Sequence, residues 1–91
     1  MKLFCGSSYH DLGERIANHL QMPLGDISVD SFADGEVNIF IGESVRNCEC
    51  VIIQSTSQCD GKSVNDLIME LLIIIDAFKR GSASKVVVVM P

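Results

Sequence analysis

Apolar and polar residues alternate along Ile27–Phe32 and again along Val37–Ile41, a period of two that predicts half-buried strands. Ala33-Asp34-Gly35-Glu36 lies between them, and Asp-Gly between two alternating runs predicts a hairpin. Lys2–Cys5 and Cys50–Gln54 are short β-type runs. Val86–Val89 is an unbroken run of valines, which predicts a strand covered on both faces. Elsewhere the period changes. Leu12, Ile16, Ala17 and Leu20 recur at helical spacing, with Ser8 as the expected cap, Asp11 near the positive end, and Pro23 and Gly25 beyond the stop. Val64–Arg80 is a longer helix, apolar on most sides and so expected to be largely buried. Its main stripe reads Leu67, Ile68, Leu71, Leu72, Ile75 and Phe78. Asn65, Asp66 and Glu70 read as a wetter side that complements the helix dipole. Lys79 and Arg80 suit the negative end, and Gly81 suits the cap. Ser55–Ser63 reads as a polar loop.

This order of elements predicts an α/β fold: a mainly parallel sheet with flanking helices and a β-hairpin. The sequence ends at Met90-Pro91, directly after the valine strand. Ligands of open α/β sheets bind in the loops after the strands, and an uncovered valine edge invites association. The expectation is therefore an amino-terminal part of a longer protein, or a strand that a partner covers.

Composition narrows the function. The 91 residues are 47% hydrophobic and 21% charged, which fits one globular domain or a piece of one. Twelve acidic residues against seven basic ones give a net charge of -5, which argues against nucleic-acid binding. The longest apolar stretch, Leu67–Phe78, is interrupted by Glu70 and Asp76 and falls short of the ~20 apolar residues of a membrane span. Met1-Lys2-Leu3-Phe4-Cys5 runs into Gly6-Ser7-Ser8 without the apolar core of a secretory leader, so a cytoplasmic setting is expected. Cys5, Cys48, Cys50 and Cys59 contain no C-x-x-C pair, and His10 and His19 complete no zinc spacing. Free structural thiols are the plainer expectation.

Four short segments carry candidate chemistry. Thr56-Ser57-Gln58-Cys59-Asp60-Gly61-Lys62-Ser63 approaches the phosphate-loop pattern between a strand and a helix, with Thr56 where that pattern has its first glycine. The alternative is a polar loop that ends in a Ser63 cap. Gly6-Ser7-Ser8 also joins a strand to a helix, where exposed N–H groups could hold an anion or simply cap. Phe32, Asp34 and Glu36 place an aromatic ring beside carboxylates at the hairpin tip. A ring can stack on a nucleobase and a carboxylate can accept from an exocyclic amine; an ordinary turn is the plainer alternative. Ser44-Val45-Arg46 offers a hydroxyl and a guanidinium, a pair suited to phosphate or sulfate.

Taken together, Lys2-Leu3-Phe4-Cys5-Gly6-Ser7-Ser8, Phe32-Ala33-Asp34-Gly35-Glu36-Val37, Ile41-Gly42-Glu43-Ser44-Val45-Arg46, Ile53-Gln54-Ser55-Thr56-Ser57 and Asn65-Asp66-Leu67-Ile68-Met69-Glu70-Leu71-Leu72 resemble the amino-terminal part of the ribose-phosphate pyrophosphokinases. The resemblance implies that residues 1–91 form part of the first, phosphoribosyltransferase-like α/β domain, here incomplete. It implies transfer of pyrophosphate from ATP to ribose 5-phosphate with Mg²⁺, giving phosphoribosyl pyrophosphate and AMP. It implies a homo-oligomer, a hexamer in the family. It implies adenine binding in a neighbouring subunit's site by Phe32, Asp34 and Glu36, and a regulatory phosphate site at Ser44, Arg46 and Ser82. Gln58-Cys59-Asp60-Gly61-Lys62 departs from the family as an insertion. The family's catalytic loop and metal-linked residues have no counterpart in these residues, so no catalytic residue is assigned. Phosphoryl transfer needs cationic clamps, and this acidic chain is expected to be inactive alone. The alternatives are a non-catalytic regulatory subunit associated with the synthetase and a P-loop nucleotidase.

Overall fold

The computed structural model describes residues 1–8, 10–31, 36–55 and 61–90. The elements run β1 (Lys2–Cys5), α1 (His10–Leu20), β2 (Ile27–Ser31), β3 (Val37–Ile41), β4 (Glu49–Ile53), α2 (Val64–Arg80) and β5 (Lys85–Val89). β1, β4 and β5 form a parallel sheet in that spatial order, and β2 and β3 form a separate antiparallel pair. The predicted α/β architecture is therefore the observed one.

The antiparallel pair follows directly from its alternation. Ile27 opposes Ile41 and Val29 opposes Ile39, so the apolar residues of both strands share one face. That face packs on a core of Phe4, Val45, Cys50, Ile52, Leu71, Ile74 and Phe78. Phe4 and Phe78 meet edge to face at its centre, with ring centroids 4.7 Å apart. The opposite face of the parallel sheet carries Leu3 and Ile53, which pack on Ala17 of α1. Two glycines allow close approach there and at the hairpin. A Cβ at Gly13 would lie 2.5 Å from the Cys5 sulfur, and one at Gly25 would lie 2.3 Å from the Phe4 ring.

Several local expectations are corrected. Among the described residues β5 pairs with β4 alone, and one of its faces is uncovered. Val86 and Val88 join the core, whereas Val87 and Val89 remain 39% and 40% exposed. The reason is coverage: α2 and the hairpin line one face, and α1 lies over β1 on the other. On α2 the buried residues are Leu67, Glu70, Leu71, Ile74 and Phe78, while Ile68 and Leu72 face outward. Glu70, expected on the wetter side, is 1% exposed. Gly81 caps α2 as expected, its N–H donating to the Ala77 carbonyl at 3.0 Å, but at φ −76, while Ser82 takes the left-handed conformation at φ 64. Gly81 also allows close packing, because a Cβ there would lie 3.0 Å from Val45.

Candidate functional site

The carboxyl ends of β1 and β4 lie side by side, with Cys5 opposite Ile53. Beyond them the chain is polar: Gly6-Ser7-Ser8 follows β1, and Gln54-Ser55 follows β4. Nearly two turns into α2, Glu70 projects into this corner. Its carboxylate accepts from the Ser7 N–H at 3.1 Å, the Ser7 hydroxyl at 2.6 Å, Gln54 Nε2 at 2.6 Å and Lys62 Nζ at 3.1 Å. The Ser7 hydroxyl in turn accepts from Lys62 Nζ at 2.8 Å. Ser8 extends the network, donating to the Ser55 carbonyl at 2.7 Å and accepting from the Ser55 N–H at 2.9 Å. Gln54 Oε1 accepts from the Ser8 N–H at 3.2 Å. Among the described residues, no buried side-chain nitrogen or oxygen lacks a partner.

This arrangement answers two of the sequence readings. The N–H groups of Gly6, Ser7 and Ser8 are all taken, by the Ile53 carbonyl, Glu70 and Gln54 respectively. The anion held at this turn is the chain's own carboxylate. Ser8 is not the cap expected for α1, since its hydroxyl is spent on Gln54 and Ser55. Lys62, the basic residue of the phosphate-loop-like segment, is paired with Glu70. Residues 56–60 of that segment lie outside the described residues. Ser63 is a helix cap as expected: its hydroxyl accepts from the Asp66 N–H at 3.1 Å, and Asp66 accepts from the Ser63 N–H at 3.0 Å. Those bonds hold the Asp66 carboxyl below its ordinary value.

Glu70 and Gln54 were missed as site-forming residues. A signal existed for Glu70. Leu67, Glu70, Leu71 and Ile74 fall at i, i+3, i+4 and i+7, so a carboxylate shares the phase of the buried stripe. Burial, the largest single influence, pushes the Glu70 carboxyl up. The bonds from Ser7 and the ammonium of Lys62 together outweigh it, leaving the group below its ordinary value.

The second candidate region joins two turns. Asn47, left-handed at φ 59, donates its N–H to the Ser82 carbonyl at 2.9 Å, and the Ser84 N–H donates to Cys48 at 2.9 Å. Ser44 and Arg46 precede Asn47, so the turns bearing Ser44, Arg46 and Ser82 are neighbours; all three residues are exposed. Ser44 also lines a groove of about 490 Å³ between β3 and α2, together with Phe40, Ile73, Asp76 and Arg80. The Ser44 carbonyl accepts from Lys2 Nζ at 2.7 Å, and the same ammonium pairs with Glu43. The Lys2 hydrogen bond holds the Glu43 carboxyl below its ordinary value.

The third region is the hairpin tip. Phe32 and Asp34 lie outside the described residues. Glu36 is exposed, immediately before β3. The ladder closes at Ser31 opposite Val37, so the intervening segment is the connection between the strands.

Cys5 and Cys50 are buried free thiols whose ionisation burial pushes up, as structural cysteines behave. Cys48 is free and half-buried; Cys59 lies outside the described residues. Among the described residues no cluster of three His, Cys, Asp or Glu side chains could hold a metal ion. No helix among them is long and apolar enough to cross a membrane.

Comparisons place these features in a lineage. Residues 1–91 match the sequence profile of the N-terminal domain of ribose phosphate pyrophosphokinase. The ribose-phosphate pyrophosphokinase of Thermotoga maritima is 50% identical over 91 residues, covering 100% of this chain and 28% of that protein. That of Corynebacterium ammoniagenes is 52% identical, covering 100% of this chain and 27% of that protein. The chain thus spans little more than a quarter of the length of these relatives. In three dimensions it is similar to the crystal structure of phosphoribosylpyrophosphate synthetase from Mycobacterium smegmatis. The TM-score is 0.88 at 34% identity, covering 99% of this chain and 29% of that one.

Proposed function

The chain belongs to the family of ribose phosphate pyrophosphokinase N-terminal domains, and on that premise we propose that it is the amino-terminal part of the first α/β domain of an enzyme making phosphoribosyl pyrophosphate. In this reaction the anomeric hydroxyl oxygen of ribose 5-phosphate forms a bond to the β-phosphorus of ATP. The bond from that phosphorus to the α–β bridging oxygen breaks. AMP leaves, and the hydroxyl proton is released. The observation that carries the reading is the family match across all of residues 1–91.

In this reading the chain contributes nucleotide recognition and self-association. Phe32 stacks on the adenine, while Asp34 and Glu36 accept from its exocyclic amine. Two carboxylates repel phosphates, so the base end of ATP is their natural guest. The apolar pairs Ile27–Ile41 and Val29–Ile39 anchor the base of the hairpin on the core, which supports a tip that reaches outward to a neighbouring protomer. Ser44, Arg46 and Ser82 form a regulatory phosphate site of two hydroxyls and a guanidinium. Their adjacency through the Asn47–Ser82 bond supports this. Mg²⁺ and ribose 5-phosphate are bound by other parts of the enzyme, and Mg²⁺ neutralises charge on the transferring phosphates when bound.

The test is titration of the assembled protein with a non-hydrolysable ATP analogue. Phe32→Ala is expected to weaken binding by about 1–3 kcal/mol, as loss of one base-stacking contact does. Unchanged affinity contradicts the assignment.

A further inference from the structure

Two residues other than glycine take the left-handed conformation side by side: Asn47 at φ 59 and Ser82 at φ 64. They precede the amino ends of β4 and β5, at the opposite end of the sheet from the Glu70 corner. Asn47 is the third residue of a turn that the Cys48 N–H closes on the Val45 carbonyl at 3.0 Å. Positive φ at that position favours glycine or asparagine. Ser82 follows α2. Its N–H donates to the Lys79 carbonyl at 3.0 Å, and the Ala83 N–H donates to the Phe78 carbonyl at 3.1 Å. The helix therefore ends in a Schellman motif with Ser82 at its left-handed position. Glycine is the ordinary occupant there, because it has no Cβ to strain. Here the glycine stands one residue earlier, where a Cβ would lie 3.0 Å from Val45, and serine keeps the strained position. The two turns are joined twice. The Asn47 N–H donates to the Ser82 carbonyl at 2.9 Å, and the Ser84 N–H donates to the Cys48 carbonyl at 2.9 Å. These bonds extend the β4–β5 pairing outward from Glu49 opposite Lys85.

We infer that Asn47 is a positioning residue of the phosphate site: through its left-handed backbone it holds the strained Ser82 beside Ser44 and Arg46, so that the site is assembled before phosphate arrives. The inference rests on the reading of Ser44, Arg46 and Ser82 as a phosphate site and adds the residue that builds it. Strain is stored where the surroundings over-determine it, and it gathers at ligand clamps. Ser82 is exposed, so no core packing requires its side chain. A hydroxyl at that position serves an anion instead. Were Asn47 to leave the left-handed region, its N–H would turn away from the Ser82 carbonyl. Arg46, next to it in the same turn, would move with it. One backbone geometry thus sets the guanidinium and the Ser82 hydroxyl together. Donors placed in advance lose little freedom when the ligand binds. Free phosphate is the fitting guest: the planar guanidinium matches two of its oxygens, and each hydroxyl can donate to another.

Calorimetric titration of the assembled protein with inorganic phosphate tests this, together with the thermal midpoint of each variant without ligand. Asn47→Gly adopts positive φ freely and is expected to bind phosphate as the unmodified protein does. Asn47→Val carries a branched side chain that opposes this conformation, and is expected to weaken binding by about tenfold. Asn47→Ala is expected to fall between them, and it replaces the valine variant should that one not fold. Ser82→Gly is expected to do two opposite things. It raises the midpoint by relieving strain, and it weakens phosphate binding by about tenfold through loss of a hydroxyl from a charged acceptor. A purely structural Asn47 gives a lower midpoint for Asn47→Val with unchanged affinity, and that result overturns the inference. Asn47→Gly binding as weakly as Asn47→Val overturns it too, because the effect then belongs to the amide side chain. In both cases loss of binding in Arg46→Ala leaves the phosphate site standing. Full affinity in Ser82→Gly overturns the link between strain and ligand. An unmodified protein that takes up no phosphate overturns the site and the inference together.

Discussion

Glu70 is a carboxylate in a core position, and the donors around it make that position tenable. A buried charge is stable only when paired and hydrogen-bonded, and Glu70 has the Ser7 N–H and hydroxyl, the Gln54 amide and the Lys62 ammonium. Together they bind the turn after β1, the end of β4 and the start of α2 into one corner. Glu70→Gln keeps the shape but replaces one acceptor oxygen with a donor, stranding part of this set. It is expected to destabilise the fold by about 1–3 kcal/mol near neutral pH, read from the urea midpoint. The pH dependence follows from the lowered carboxyl. Its contribution is fully present above the ordinary carboxyl value of 4.5 and is lost as pH falls through the lower folded value. The gap between Glu70→Gln and the unmodified protein is therefore expected to close on acidification below that point. A gap that persists there assigns the effect to packing rather than charge.

At the scale of elements, α2 is held at its start by a reciprocal cap and along its length by the core. Ser63→Ala removes the acceptor for the Asp66 N–H and is expected to destabilise the protein by about 1 kcal/mol. The start of this helix was legible because Ser63 and Asp66 have the spacing of a capping box. Its rotation was not. Leu71-Leu72-Ile73-Ile74-Ile75 is apolar at every angle, so periodicity alone could not choose between Leu72 and Ile74. Partners elsewhere chose: the Ser7–Gln54–Lys62 corner takes Glu70, and the Phe4–Phe78 pair takes the adjoining face. Four valines fit a strand buried on both faces, and among the described residues α1 leaves one face of β5 open, as the expected uncovered valine strand requires. The antiparallel pair was legible because its isoleucines and valines alternate; the Asp34-Gly35 turn lies outside the described residues. At Gly6-Ser7-Ser8 capping was the plainer expectation and the anion pattern the alternative, and nothing local reveals that the turn holds Glu70.

At the scale of the whole chain, the described residues enclose a core and leave apolar side chains exposed. Phe4, Cys50, Ile52, Ile74 and Phe78 are fully enclosed, while Val87, Val89 and the Ile68–Met69–Leu72 face stand open. The chain carries a net charge of -5, and its proposed share of ATP recognition is the base. The most direct test is a crystal structure of the complete assembly with an ATP analogue bound. The expected result is the adenine stacked on Phe32, with its amine facing Asp34 and Glu36, in a site shared with the adjoining protomer. Adenine bound away from all three residues contradicts the account.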